Sequence, residues 1–508
     1  MEQTRPVLIA GAGPTGLTAA LELARCGIPV RLVDQYSEPP TTSRALAVHA
    51  RTLELLHQRG IADAFVNLGN QAFAATLYDG AARLGRIDLH AIDSRFNFVL
   101  LLAQSETERI LRERLQQDGI TVERDTQMVG LMQRDGPAAG VLVTLRHADG
   151  RREDVDAAYL VDAEGAHSSA RHSLALPFTG TSMPNTYVIA DLYLDGAVPE
   201  DELTIFVMQA GLLAAFPMGR RRFRILATER EDAPHDAPPP SLDAIQAAWS
   251  RSAPVAVHLR DLQWSSRFRI NSRALERMRH GSIFFAGDAA HIHSPAGGQG
   301  MNTGMQDAIN LGWKLALVYR GLAADALLGT YDAERLPVIH QLVSTTERAT
   351  DLLNSDSRFI HTLLRHMLPP VLRMDAVQRK GAATLSELAV HYRASSLNGE
   401  AEGGGTVRSG DRFPDVAVQE EGGQRVLDLL DPSRFTVLVT GSPLRLEKYG
   451  ALCTLRHVPA AGSALLAALG DATVAVIRPD GYLLCAGSHR TLPARLDAWA
   501  GRWLQTGC

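Results

Sequence analysis

Residues 7–34 read VLIAGAGPTGLTAALELARCGIPVRLVD, and their pattern decides the fold. A short apolar run, Val7 to Ala10, ends in a turn holding Gly11, Gly13, Pro14, Thr15 and Gly16. An alanine-rich stretch from Leu17 to Arg25 predicts a helix, Gly27 stops it, and a second apolar run from Pro29 to Val33 ends at Asp34. Strand, glycine turn, helix, strand and terminal acid make a dinucleotide-binding β–α–β unit. Gly11 permits the tight turn, Gly13 lets a pyrophosphate approach the backbone, and Gly16 lets helix pack close on strand. The helix start offers free N–H groups and a partial positive charge to phosphates. Asp34 can accept hydrogen bonds from a ribose hydroxyl and would repel a 2′-phosphate. The unit alone does not separate FAD from NAD.

A second stretch, FFAGDAAHIHSPAGGQGMNTGMQDA at 284–308, predicts a buried strand ending at Gly287-Asp288. A carboxylate at the C-terminal end of a strand stands where open α/β sheets bind ligands, and it can hold a polyol hydroxyl. The glycines at 297, 298 and 300 precede a helix expected from Met305 to Arg320. Its first N–H groups can face an electron-rich atom. His291 and His293 have a spacing that can ligate zinc on a strand. Here they fall in a Gly/Pro loop with no further Cys/His cluster, so the reading is no metal and a loop shaped by hydrogen bonds.

The remaining chain bounds the class. With 508 residues there is room for two or three domains. A net charge of −5 without a basic block argues against nucleic acid or a membrane surface as partner. No apolar run is long enough to span a bilayer, and MEQTRPVLIAGAG enters a strand without a signal segment. The four cysteines form no CxxC pair. A cytoplasmic address with reduced thiols is expected. Two loop-like stretches stand out, EDAPHDAPPP at 231–240 and ASSLNGEAEGGGT at 394–406. The second is the better domain boundary.

A third stretch, YLVDAEGAHSSAR at 159–171, completes a larger pattern. Taken with GAGPTG plus Asp34, and with GDAAHIHSPAGGQGMNTGMQDAINLGWKL at 287–315, it resembles the single-component FAD-dependent aromatic hydroxylases. These are the p-hydroxybenzoate hydroxylase-like, group A flavoprotein monooxygenases. The resemblance implies a mixed α/β fold. A Rossmann-like FAD-binding domain (1–72, 104–174 and 275–393) would interleave with a mostly antiparallel substrate-binding sheet (73–103 and 175–274). By position it implies that Gly11, Gly13, Pro14, Thr15 and Gly16 meet the pyrophosphate. Asp34 would hold the adenosine ribose with Gln35 beside it, and Arg44 would reach the phosphates. Gln104 would lie near the ribityl chain, and Met128 would flank the adenine through its backbone. Asp288 would hold the ribityl chain, Pro295 would border the reactive face, and Gly298, Gly300, Met301 and Asn302 would lie along the ring. Ser105 and Glu108 have the spacing of a capping box opening a helix. Where the family has Asp-Gly in its middle motif, this chain has Glu164-Gly165, one methylene longer with the charge kept. That departure bears on the NAD(P)H contacts. No catalytic side chain is assigned.

The implied chemistry is reduction of FAD by NADPH or NADH, O₂ addition at C4a, and attack of the distal hydroperoxyflavin oxygen on a phenolic or polycyclic aromatic ring. A small aromatic and O₂ are the partners, and the chain is expected as a monomer or homodimer. No second GxGxxG follows residue 16, which argues against the Baeyer–Villiger and N-hydroxylating classes with two nucleotide domains. No Trp-x-Trp-x-Ile-Pro signature supports a halogenase. The alternatives are a flavin oxidoreductase (reductase, dehydrogenase or Baeyer–Villiger type) acting on an aromatic or quinone, oxidative removal of a nitro or halogen substituent, or a non-catalytic flavin binder. Strand-like stretches at 187–194, 203–210, 212–219 and 222–229 would form the second sheet. Phe206, Met208 and Phe216 there line the site or belong to the sheet core.

Residues 407–508 predict a hairpin about Pro479-Asp480-Gly481 and a helix with Leu492, Leu496, Trp499 and Trp503 on one face. This piece resembles the thioredoxin-like tail of phenol hydroxylases and aromatic polyketide hydroxylases. Lacking CxxC, it reads as structural, with Cys453, Cys485 and Cys508 as bystanders. The tail leaves simple phenols, chlorinated or nitrated phenols and polycyclic polyketides open as substrates.

Overall fold

The computed structural model describes residues 5–40, 45–134, 139–208, 211–229, 238–294, 297–353, 358–420, 423–442, 444, 446–458 and 461–505. Arg44, Pro295 and Cys508 lie outside them, as does the side chain of Met208.

Strand β1 (Val7–Ala10) is wholly buried. It pairs in parallel with β2 (Val30–Val33) on one side and with Tyr159–Asp162 on the other. Ile283–Phe285 continues the parallel set beyond Tyr159–Asp162 in a six-stranded sheet. An all-apolar strand suits this central place, because both faces are covered. Helix α1 (Pro14–Arg25) opens three residues before the apolar run, since proline at N1 lacks only an N–H that the helix would leave unpaired. Its Leu17, Leu21 and Leu23 are buried, each contributing about 1.5–3 kcal/mol.

The helix expected from Met305 instead spans Gly300–Tyr319 and is buried from Met301 to Leu317. Glycine propensity argued for a later start. Close packing against α1 overrides it. The expected capping box does not form. The helix Gln104–Gln117 starts one residue before Ser105, because the Gln104 N–H already donates to the Ala45 carbonyl. Glu108 instead accepts from Gln104 Nε2 at 2.9 Å.

An eight-stranded, mostly antiparallel sheet holds Val257–Ala274, Thr179–Gly196, Arg222–Glu229, Gly211–Pro217 and Glu202–Met208 as consecutive neighbours. One face packs on the helix Leu242–Ser252 through Phe206, Phe223 and Trp249. Phe206 therefore belongs to the core beneath that helix, whereas Phe216 clusters on the opposite face with Leu46 and Ala47.

Near the C-terminus a four-stranded sheet has the order Cys453–Val458, Phe435–Thr440, Val474–Ile477, Leu483–Gly487. Only its first pair is parallel. Gly399 and Glu402 hydrogen-bond the carbonyls of Leu484 and Ala486, so part of the Gly-rich stretch at 394–406 runs along this sheet. Trp313 and Leu317 share one apolar cluster with Phe435, Leu496 and Trp503. Burial pushes the Cys26 thiol up to about 11 and those of Cys453 and Cys485 up to about 12. Among the described residues no helix is long and apolar enough to cross a membrane.

Candidate active site

The first glycine turn is shaped by contact. A Cβ at Gly16 would lie 1.9 Å from the Gly11 carbonyl oxygen, and one at Gly11 (φ +99°) would lie 2.3 Å from that of Ala163. Gly11 thereby seats the turn on the Asp162–Glu164 segment. A Cβ on Gly13 would meet nothing within 4 Å. A groove opens there, at a helix start with no side-chain cap, where the first N–H groups lack intrahelical acceptors.

Asp34, buried at the end of β2, accepts from the N–H groups of Ala12 at 2.6 Å and Tyr36 at 2.9 Å. Arg124 Nη1 stands 3.3 Å from its Oδ1, and Arg124 Nη2 is buried without a partner. Gln35 accepts from Gln127 at 3.4 Å, and Met128 is buried on the adjoining strand Thr126–Arg134.

Thr15 joins the first and last motifs. A Cβ at Gly287 would lie 2.5 Å from Thr15 Oγ1, and one at Gly304 would lie 2.4 Å from the same atom. Turn, corner and helix thus meet at one point, with Asp288 exposed beside it. The Gly287 N–H donates to Asp307 Oδ2, whose carboxylate also takes His291 Nε2 at 2.7 Å and Arg335 Nε at 2.6 Å. His291 is therefore committed to a buried contact with Asp307. Burial lowers His49 and His293 to about 4, so both imidazoles are neutral at pH 7.

Gly297 and Gly298 have φ of +89° and +66°, which carries the chain sharply into the Gly300 helix. Gln299 is its N-cap without a side-chain cap, leaving the N–H groups of Gly300, Met301 and Asn302 without intrahelical acceptors. Asn302 is spent structurally. It donates to the carbonyls of Ala47 at 2.9 Å and Gly298 at 3.1 Å, and accepts from the His49 N–H at 2.9 Å. Gln104 Oε1 accepts from the Ala45 N–H at 3.3 Å. The segment 45–49 is thus pinned from both sides.

In the middle motif Glu164 caps the helix Ser169–Ser173, accepting from the Ser169 N–H at 2.8 Å. Burial, with Glu164 nearby, pushes Asp162 up to about 7. Arg171 donates to the Ala289 carbonyl at 2.9 Å, tying this motif to the Asp288 corner.

Among the predicted residues, Gly11, Gly13, Pro14, Thr15, Gly16 and Asp34 gather about the first glycine turn with Gln35 and Met128 on adjoining segments, Thr15 meets Gly287 next to Asp288, and Gln104, Gly298 and Asn302 converge on segment 45–49 at the start of the helix that holds Gly300 and Met301. Sequence reasoning missed Arg124, His49 and a triad on the sheet face away from the Leu242–Ser252 helix. In that triad Arg224 pairs with Asp191 at 2.7 and 2.9 Å, Trp264 Nε1 donates to Asp191 at 3.0 Å, and Arg224 Nη1 reaches the Ala45 carbonyl at 3.2 Å. These contacts depend on strand register, which no local spacing reports.

An acid and an unpaired guanidinium N–H at one end, an open glycine turn in the middle, and an exposed acid beside an uncapped helix at the other suit an extended dinucleotide with a flat ring. Residues 4–346 match the FAD binding domain family, and residues 406–506 match the aromatic-ring hydroxylase C-terminal family. The chain is 38% identical to the 6-methylpretetramide 4-monooxygenase of Streptomyces rimosus, covering 97% of this chain and 93% of that one. It is 31% identical to the pentachlorophenol 4-monooxygenase of Sphingobium chlorophenolicum, covering 85% of this chain and 79% of that one. The solved structure of the anhydrotetracycline hydroxylase from Streptomyces rimosus superposes with a TM-score of 0.80 at 30% identity, covering 98% of this chain and 99% of that one. The chain belongs to the FAD-dependent aromatic-ring hydroxylase family, and it is an NAD(P)H-consuming monooxygenase.

Proposed function

We propose that this enzyme hydroxylates a polycyclic phenol. The relatives acting on tetracycline-type substrates carry this reading, matching 97% of the chain at 34–38% identity. Bound FAD supplies the redox and oxygen-activating chemistry. The chain's own residues bind, orient and shield. Gly11, Gly13, Pro14, Thr15 and Gly16 present the α1 N–H groups to the pyrophosphate. Asp34 and Gln35 take the adenosine ribose, with Arg124 as a cation nearby and Met128 at the adenine. Gln104 and Asp288 hold the ribityl chain. Gly298, Gly300, Met301 and Asn302 border the ring, and the first N–H groups of the Gly300 helix stabilise negative charge on it. The sheet face bearing Phe216 and Arg224 closes over the substrate and excludes water.

We place the FAD-binding domain at 1–72, 104–174 and 275–393, the substrate sheet at 73–103 and 175–274, a linker at 394–406 and the thioredoxin-like domain at 407–508. We infer a cytoplasmic monomer or homodimer. The test is a panel of polycyclic and simple phenols in anaerobic stopped-flow reduction by NADPH and NADH, followed by ¹⁸O₂ turnover. A polycyclic phenol should accelerate flavin reduction and take up one ¹⁸O. Acceleration confined to chlorophenols with chloride release would favour the pentachlorophenol-type reaction and overturn the polycyclic assignment.

A further inference from the structure

The C-terminal sheet sends one turn into the interior of the FAD-binding unit. Residues Arg478 to Tyr482 join Val474–Ile477 to Leu483–Gly487, and Arg478, Asp480 and Tyr482 are all buried. A tail that merely leaned on its neighbour would bury apolar groups, because isolated charges are costly to desolvate. This turn buries charges and gives every one of them a partner outside its own sheet.

Four threads leave it. Asp480 Oδ2 accepts from Asn310 Nδ2 at 3.3 Å and Trp313 Nε1 at 3.2 Å, both on the Gly300 helix. Arg478 clasps both oxygens of Glu334 at 2.7 and 2.8 Å, and Glu334 also takes Asn310 and Lys314 of that helix at 2.8 and 2.7 Å. The Asp480 carbonyl accepts from Arg51 Nη2 at 2.6 Å, and Arg51 lies in helix α2 (Ala50–Gln58), directly after the pinned segment 45–49. Tyr482 packs on Tyr392 at 4.3 Å between ring centres, and the Tyr392 hydroxyl accepts from Arg335 Nη1 at 2.9 Å. Arg335 in turn holds Asp307 and the Thr303 carbonyl within the first two turns of the Gly300 helix.

Both elements that frame the Gly297–Gly300 loop, α2 and the Gly300 helix, are thus bonded to one turn of the tail. We infer that the Arg478–Tyr482 turn is a positioning element of the flavin site: the C-terminal domain sets where the Gly300 helix stands against segment 45–49, and through them how tightly and at what potential the flavin is held. The inference rests on the reading that the flavin ring lies at the start of the Gly300 helix. Arg478, Asp480 and Tyr482 act through other residues and touch no substrate.

The test uses the full chain. Asp480→Asn removes one buried charge with little change of shape, and Trp313→Phe removes one hydrogen bond and no charge. Tyr449→Phe is the control, since the Tyr449 hydroxyl pairs with Asp497 inside the C-terminal unit. Apoprotein is titrated with FAD by fluorescence, and the flavin midpoint potential is measured on the holoprotein. Asp480→Asn should weaken FAD binding about tenfold or more, equivalent to about 1.4 kcal/mol, and shift the potential. Trp313→Phe should do the same by a smaller factor, while Tyr449→Phe lowers thermal stability and leaves affinity and potential unchanged. If both turn variants melt earlier but keep FAD affinity within twofold and an unmoved potential, the turn is only a structural tie and the inference falls. Should Asp480→Asn fail to fold, Trp313→Phe decides alone by the same criteria. A wild-type chain that binds no FAD would overturn the functional reading instead, before any variant is compared.

Discussion

Replacing Gly304 by alanine tests whether the groove depends on contact between its motifs. In an unconstrained helix interior the change would stabilise by about 1 kcal/mol, because alanine is the better helix former. The structure opposes this. The new Cβ would lie 2.4 Å from Thr15 Oγ1 and 3.1 Å from Gly287 Cα. Reaching ordinary contact with the hydroxyl requires about 1 Å of movement between α1 and the Gly300 helix, and overpacking of this kind costs about 1–3 kcal/mol. The net expectation is a loss of stability and at least about tenfold weaker FAD binding, since both helix starts bordering the groove shift apart. Thr15→Ala removes the hydroxyl, and the next atom the added Cβ would then meet on that residue is Cβ at 3.6 Å. The double variant Thr15→Ala/Gly304→Ala should therefore recover part of the loss, with a favourable coupling of about 1 kcal/mol in a double-mutant cycle. The assay is FAD titration of the apoprotein together with thermal denaturation of apo and holo forms. Gly304→Ala binding FAD like the wild type, or single effects that simply add in the double variant, would refute the proposed three-way contact.

Other perturbations address separate parts of the site. Burial raises Glu387 from 4.5 to about 8, so the folded chain keeps a proton that the unfolded chain releases. Its contribution to stability is whole below pH 4.5 and is lost as pH rises toward 8, so Glu387→Gln should gain on the wild type across that window, by about 1.4 kcal/mol per pH unit at most; melting curves at pH 5 and pH 8 showing an equal difference would contradict this. Asn302→Ala leaves the Ala47 carbonyl, the Gly298 carbonyl and the His49 N–H without their partner, which should cost about 2–4 kcal/mol and free segment 45–49 for faster hydrogen exchange. Asp191→Asn strands the buried Arg224 and should destabilise by about 3–5 kcal/mol, whereas the paired change Asp191→Leu/Arg224→Met should cost less than the single variant in denaturant titration.

The parts of this molecule that sequence reveals are those whose causes are local. In the first β–α–β unit, Gly16 meets the Gly11 carbonyl and Asp34 meets the Ala12 N–H within a few dozen residues, so motif spacing reports them. The same holds for the hairpin at 474–487 and for the final helix, whose Leu492, Leu496 and Trp503 are buried at helical spacing. Where two local signals conflict, tertiary contact decides. Gly304 reads as loop by propensity, yet it lies in a helix whose close approach to Thr15 and Gly287 leaves no room for a side chain there. Ser105 and Glu108 have the spacing of a cap, but strand-to-helix hydrogen bonds to segment 45–46 start that helix earlier. Phe206 and Phe216 could not be sorted, because the sheet is covered on both faces and apolar strands then lose their alternation.

Buried charge is the hardest feature to read from a chain. Lys314, Glu334 and Arg335 look in sequence like the solvated face of two helices, and that is the usual place for such residues. All three are buried here, each with a countercharge on another element: Glu334 for Lys314, Asp307 for Arg335 and Arg478 for Glu334. Arg478 reaches Glu334 across 144 positions, and Asp480 reaches Asn310 across 170. Removing either partner leaves an uncompensated ion in a dry interior, which costs more than the pair is worth. The tail therefore cannot drift from the FAD-binding unit without exposing or stranding those charges. That linkage ties the C-terminal sheet to the helix that opens at Gly300.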